Sequence, residues 1–240
     1  MKRKWILLKI TLLLAGLIFL LAFTNKKYQL REVHTVKKMI DYAHGNHFVT
    51  EKIVDSILKK AHPDYPHMQM KRVNTRDMEY LLNKDDYISY ANVYLENDGV
   101  LHAEIKQQIP VLRVHKGEEE YYITDRKKRI PLSKEFSAKV LIADGEIDLN
   151  DYKGLVELAQ NINEDNLLKN LIAGIRKERE NSFILFVDDG DYILELGELE
   201  NLKTKLENFK VFHTEYVQKS ADIPYKKFNL RFNNQIVATK

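Results

Sequence analysis

Residues 91–105 read ANVYLENDGVLHAEI. Ala91, Val93 and Leu95 alternate with Asn92, Tyr94 and Glu96. Beyond the break at Asn97-Asp98-Gly99, Leu101, Ala103 and Ile105 alternate with His102, Glu104 and Lys106. Period-two alternation on both sides of an Asn-Asp-Gly turn describes a β-hairpin with one apolar face. That face needs a cover, and the preceding residues supply one. Ile53, Val54, Ile57, Leu58 and Ala61 recur at helical spacing behind the N-cap candidate Thr50. A second helix opens near Thr75, with Asp77 and Glu79 in its first turn and Met78, Leu81 and Leu82 as its stripe. Upstream, Val36, Ile40 and Tyr42 fall at even steps in the strand-like stretch 33–42. The order strand, helix, helix, strand, strand predicts a small α+β domain over residues 24–110, closed by Pro110.

Downstream, residues 111–240 are rich in strand signals. Val111–His115, Glu120–Thr124 and Lys139–Ala143 are strand-like, and Phe183–Val187 with Tyr192–Leu196 predicts a second hairpin. Tyr152–Ile162 and the run Leu199, Leu202, Leu206, Phe209 are helical, whereas 171–177 fits a helix end or a strand. Lys226–Val237 reads as one closing strand, with Phe228, Leu230 and Phe232 alternating with Asn229 and Arg231. The expectation is a mixed β-rich domain with an antiparallel sheet and helices.

At the other end, Trp5–Phe23 reads WILLKITLLLAGLIFLLAF, with Lys9 as its single charge. A hydrocarbon core needs about 20 apolar residues in a helix, so 5–23 is expected to be a transmembrane helix. Residues 1–4 would form a short cytoplasmic tail, because a long following domain translocates regardless of its charge. A cleaved signal peptide is the rival, but the apolar run is long for one, and Ala22-Phe23-Thr24 is a poor cleavage site. Lys2, Arg3, Lys4 and Lys9 account for the net charge of +3, since 34 basic residues face 35 acidic ones in the remainder. The basic pI therefore gives no reason to expect nucleic-acid binding.

A search for chemistry finds none to assign. The chain has no cysteine. His44/His47 and His62/His67 lie in turns, not at the spacing of a converging metal site. Ser56, Ser89, Ser133, Ser137 and Ser182 lack a nucleophile-elbow context, and the nine glycines form no phosphate-binding loop. The acidic pairs Asp85-Asp86 and Asp188-Asp189 sit in turns. No enzyme, cofactor, metal or small-molecule substrate is expected. Tyr90, Tyr94, Tyr121, Tyr122 and Tyr192 fall in strands, mostly as packing residues, with some available as a partner surface.

In combination these features resemble the bacterial cell-division family FtsQ/DivIB. The residues carrying the likeness are the hairpin exit Leu101–Lys106 into Gln107-Gln108-Ile109-Pro110, the run Tyr121-Tyr122-Ile123-Thr124-Asp125, the step Ile193–Gly197 before a helix, and Phe228–Phe232 with Gln235-Ile236-Val237. One departure is Arg126-Lys127-Lys128-Arg129, which lacks the glycine the family usually has in that turn. The resemblance implies a POTRA-like first domain that helps recruitment to the divisome. It implies a non-enzymatic scaffold in the inner membrane at the septum, its C-terminal domain periplasmic. The implied partners are FtsB and FtsL type proteins, bound by strand addition at the end of the β-domain to govern septal peptidoglycan synthesis. By position the contact would fall on Leu230, Arg231, Phe232, Asn233, Asn234, Gln235, Ile236 and Val237. The alternative is an envelope-anchored protein of another process, either outer-membrane assembly and secretion or a cell-wall enzyme.

Overall fold

The computed structural model describes the backbone except residues 1, 30, 179, 180, 189, 190, 221, 222, 233 and 234, and side chains except also 2–4, 6–8 and 23–29. The chain divides into two compact units, Met1–Gln107 and Gln108–Lys240.

The first unit begins with helix α1 (Lys2–Gln29), whose hydrophobicity favours no face. Its described apolar side chains stand in the open: Leu12 and Leu13 are 73% exposed and Phe19 70%. Among the described residues no helix is long and apolar enough to cross a membrane. The consecutive described side chains of α1 run only from 9 to 22.

Next come β1 (Thr35–Asp41), α2 (Glu51–Ala61), α3 (Thr75–Asn83), β2 (Ile88–Leu95) and β3 (Val100–Gln107). The sheet order is β1-β3-β2, with β1 parallel and β2 antiparallel to β3. Thr50 Oγ1 accepts from Ile53 N–H, and Asn74 Oδ1 accepts from Asp77 N–H, so each cap satisfies a donor the helix leaves orphaned. Val54, Leu58, Met78 and Leu82 of the helices are buried, as are Ala91, Val93, Leu101, Ala103 and Ile105 of the hairpin. Two further devices finish the domain. Gln107, itself buried, accepts from Val49 N–H at 2.8 Å and donates to Asp41 O at 2.9 Å and Asn46 O at 2.8 Å. It thereby fastens the loop after β1 to the end of β3. On β2, Ala91 N–H donates to Asn83 Oδ1, Asn83 Nδ2 donates to Ala91 O, and Val93 N–H donates to Glu79 Oε1. Polar side chains of α3 thus occupy the outer edge of β2.

Among the described residues the second unit holds nine strands: β4 (Pro110–Lys116), β5 (Glu119–Thr124), β6 (Arg129–Pro131), β7 (Leu141–Asp144), β8 (Ile172–Lys177), β9 (Phe183–Val187), β10 (Ile193–Gly197), β11 (Lys227–Asn229) and β12 (Val237–Thr239). They form one sheet in the order β12-β11-β10-β9-β8-β7-β4-β5-β6. The sheet is mixed, because β4–β7, β7–β8 and β10–β11 pair in parallel. A row of buried side chains crosses one face: Tyr121, Val114, Ala143, Ile175, Leu185, Leu194 and Phe228, each opposite the next in register. Leu155, Ala159 and Ile162 of α4 (Tyr152–Glu164) and Leu202, Leu206 and Phe209 of α6 (Leu202–Phe212) belong to the same core. Between them α5 (Asn166–Leu171) runs directly into β8, which resolves 171–177 as both a helix end and a strand.

The glycine-free turn closes by placing Lys127 in the left-handed region, φ +62°. Thr124 supports it: its carbonyl accepts from Lys127 N–H and its hydroxyl from Lys128 N–H. The charged stretch expected to be only a turn ends in a short strand, β6, paired to β5.

Candidate functional site

The predicted contact region lies at the β12 end of the second sheet. The closing stretch is not one strand, as the alternation of Phe228, Leu230 and Phe232 suggests, but a short strand, a bend and a second short strand. Leu230, just past the first, still follows β10, since its N–H donates to Glu195 O at 2.9 Å and its side chain is buried. It therefore cannot present itself to a partner. At the next residue Asn229 Oδ1 accepts from Arg231 N–H at 2.9 Å, an Asx-type turn that diverts the chain. Phe232 consequently leaves the core and stands 48% exposed. Asn233 and Asn234 lie outside the described residues. Gln235 is exposed, Ile236 is half-buried against the core, and Val237 opens β12 with 42% exposure.

The bend is held from β10. Gly197 has φ +72°, and a Cβ there would sit 2.7 Å from Arg231 Cγ. The arginine stem lies across the glycine, and its guanidinium reaches Glu195 at 3.8 Å and Ser182 Oγ at 3.5 Å. Asn229 Nδ2 donates to Glu195 Oε2 at 3.0 Å. Lys205 of α6 donates to Leu196 O and Glu198 O, fastening the helix to the same corner. Burial lowers the pKa of Lys205, Arg231 adding to it, against the opposing pull of Glu198 and Glu200.

Beneath the edge, Phe228 meets Tyr192 edge-on at 4.9 Å and Phe212 at 4.9 Å, and Phe212 stacks on Tyr216 at 5.2 Å. Tyr216 is 37% exposed. Aromatic side chains thus run from the core beside β11 out to solvent.

The backbone determines which groups the edge offers. Ile193 N–H donates to Lys226 O, and Leu230 N–H donates to Glu195 O. The Lys226 carbonyl and residues 228 and 230 therefore face β10, so Lys227 and Asn229 face β12, where Lys226 N–H also donates to Thr239 O. Their register partners are Thr239 and Val237. The alternate residue, Ala238, turns its N–H and C=O to the outer side, where β12 has no strand partner among the described residues. The predicted set, Leu230–Val237, does not include Ala238.

Of the strand tyrosines, Tyr121, Tyr122 and Tyr192 are core residues, while Tyr90 is 49% exposed. The turn histidines do not converge. His47 stacks on Tyr42, and His62 Nδ1 accepts from Asp64 N–H. Among the described residues no group of three His, Cys, Asp or Glu side chains is placed to hold a metal. A polar cavity of about 480 Å³ opens beside Asp151 and Lys177, but these two bond each other at 2.6 Å, and Asp151 also accepts from Asp148 N–H. Burial works against charge on Lys177, but the hydrogen bonds and charges of Asp151 and Asp148 together outweigh it and raise the pKa. The pair is a structural tie between β8 and the start of α4.

Strand, helix, helix, strand, strand, followed by a mixed sheet with helices packed on it, defines a two-domain α+β protein. The POTRA-like domain model matches residues 33–106. The model described as FtsQ/DivIB, C-terminal related, matches residues 109–239, more than half of the chain, and the chain belongs to this family of bacterial cell-division proteins. Among solved structures, the major extracytoplasmic domain of the trans isomer of the cell-division protein DivIB from Geobacillus stearothermophilus matches at 11% identity. It covers 47% of this chain and 97% of its own, with a TM-score of 0.35. At that score the likeness adds nothing to the family assignment. No curated protein sequence matches the chain.

Proposed function

We propose that this protein is a non-enzymatic, membrane-anchored scaffold of bacterial cell division that receives an extended segment of an FtsB or FtsL type partner on the outer side of β12. Residues 5–23 are the anchor, with 1–4 in the cytoplasm and the two domains in the periplasm at the septum, where the contact helps govern septal peptidoglycan synthesis. The reading is carried by the outward amide and carbonyl of Ala238 on a strand with one neighbour among the described residues. Such an edge accepts another strand by main-chain pairing. By contrast, the outer edge of β2 is already occupied by Asn83 and Glu79.

Main-chain bonds alone are too weak. Two bonds at Ala238 contribute about 1 kcal/mol each, against an association cost of at least about 4 kcal/mol. Side chains must supply the rest, and the exposed Phe232, Val237 and Tyr216 are the apolar surface near the edge.

The test is co-purification of the full chain with an FtsB-type protein. Ala238→Pro removes only the outward N–H, and proline is tolerated on an edge strand. The variant should keep its fold and lose the partner, and Phe232→Lys should do the same. Undiminished capture by Ala238→Pro would refute pairing at β12. Depletion in cells should give filaments without septa, and normal division with an altered envelope would favour another envelope process.

A further inference from the structure

We propose that the cavity between β1, α2 and residues 65–67 of the membrane-proximal domain binds the phosphate of an anionic phospholipid headgroup. The inference rests on the anchor reading of residues 5–23. The cavity has a volume of about 640 Å³, and its lining includes Lys38, Lys52, Asp55, Ser56, Lys59 and His67.

Its one carboxylate is already engaged. Asp55 accepts from Lys38 Nζ at 3.0 and 2.9 Å and from the Tyr65 hydroxyl, and Lys38 also pairs with Glu51 at 3.0 Å. Lys52 and Lys59 are exposed and have no ion-pair partner among the described residues. They lie seven residues apart on α2, about 10 Å along its axis, with Ser56 between them. Ammonium groups donate and cannot accept, so two unpaired lysines beside a hydroxyl suit a ligand made of anionic acceptor oxygens.

The position selects the source of that phosphate. Val33 N–H donates to Met68 O at 2.8 Å, and Met70 N–H donates to Arg31 O at 3.0 Å. The wall bearing His67 is thus strapped to the chain just after α1. Val33, itself part of the lining, lies four residues beyond Gln29. Four residues span at most about 14 Å, and the six from Phe23 to Gln29 add about 9 Å of helix. The cavity is therefore tethered within reach of the headgroup layer. A lysine at an anionic surface contributes about fivefold in affinity, so Lys52 and Lys59 together carry on the order of 25-fold.

The experiment uses the full chain in nanodiscs of phosphatidylcholine, with and without phosphatidylglycerol, and reads hydrogen exchange of peptides within 51–67. Phosphatidylglycerol should slow exchange there, and Lys52→Glu with Lys59→Glu should abolish the slowing while exchange in β4–β12 stays as in the wild type. Slowing that persists in the double variant, or no slowing in a chain that remains in the membrane, overturns the site. Equal slowing by glycerol 1-phosphate added to phosphatidylcholine discs overturns the lipid assignment. Release of the chain from vesicles by alkaline carbonate overturns the anchor itself, and with it the argument from tethering.

Discussion

Replacing Gly197 by alanine tests how the bend before β12 is made. Two separate terms oppose the new methyl. The backbone term follows from φ +72°, a left-handed conformation that costs an L-residue about 1–2 kcal/mol. The packing term follows from the 2.7 Å approach to Arg231 Cγ and 3.2 Å to Cδ, which pushes the arginine off Glu195 and adds about 1 kcal/mol. Gly197→Ala should therefore destabilise β9–β10 by about 2–3 kcal/mol in the wild-type background. Arg231→Ala alone loses a long, exposed ion pair and should cost less than about 1 kcal/mol. In that background only the backbone term of Gly197→Ala survives, so the cycle should show a coupling of about 1 kcal/mol. Native-state hydrogen exchange of the β9 and β10 amides in the full chain reads the local opening free energy directly. An identical cost of Gly197→Ala with and without the arginine would show that Arg231 does not lie where the bend requires it.

Two further outcomes follow from the hydrogen bonding. Gln107→Leu strands the buried Val49 N–H and the carbonyls of Asp41 and Asn46, and should destabilise the first domain by about 2–4 kcal/mol in urea, leaving exchange in the second domain unchanged. Asp165 is held below the usual carboxylate range by Lys210 at 2.7 Å and by the Leu168 and Leu167 amides it caps. A depressed carboxyl contributes fully above its unfolded value near pH 4 and loses that contribution as the pH falls through the lowered folded value. Asp165→Asn should accordingly flatten the acid limb of stability below about pH 4, measured as the difference from wild type across a titration.

The first domain was readable because its signals are local. The caps at Thr50 and Asn74, the two amphipathic stripes and the Asn-Asp-Gly turn each depend on residues within a few positions of one another. The end of the second domain was less readable because its shape is decided across the sheet. Alternation at Phe228, Leu230 and Phe232 is real, yet the Asn229 side chain captures the Arg231 amide and the chain turns before Phe232 can pack. No periodicity encodes that capture, nor the passage of Arg231 over a glycine 34 residues earlier. Ala238 escaped notice for a related reason. A small residue carries no compositional signal, and the pairing proposed for it depends on which way its amide faces. The turn at 125–129 shows the opposite case, where the missing glycine was visible and the structure supplied the left-handed residue at Lys127.

Strand-pairing assemblies have a valence, set by how many of their edges remain receptive. At β2 the protein uses Asn83 and Glu79 as a permanent stand-in for a neighbouring strand. Each such closure removes one route by which copies could add to one another without end. The consequence is local: a strand arriving at the first domain's hairpin finds the Ala91 and Val93 amides already engaged, so copies do not add to one another through β2.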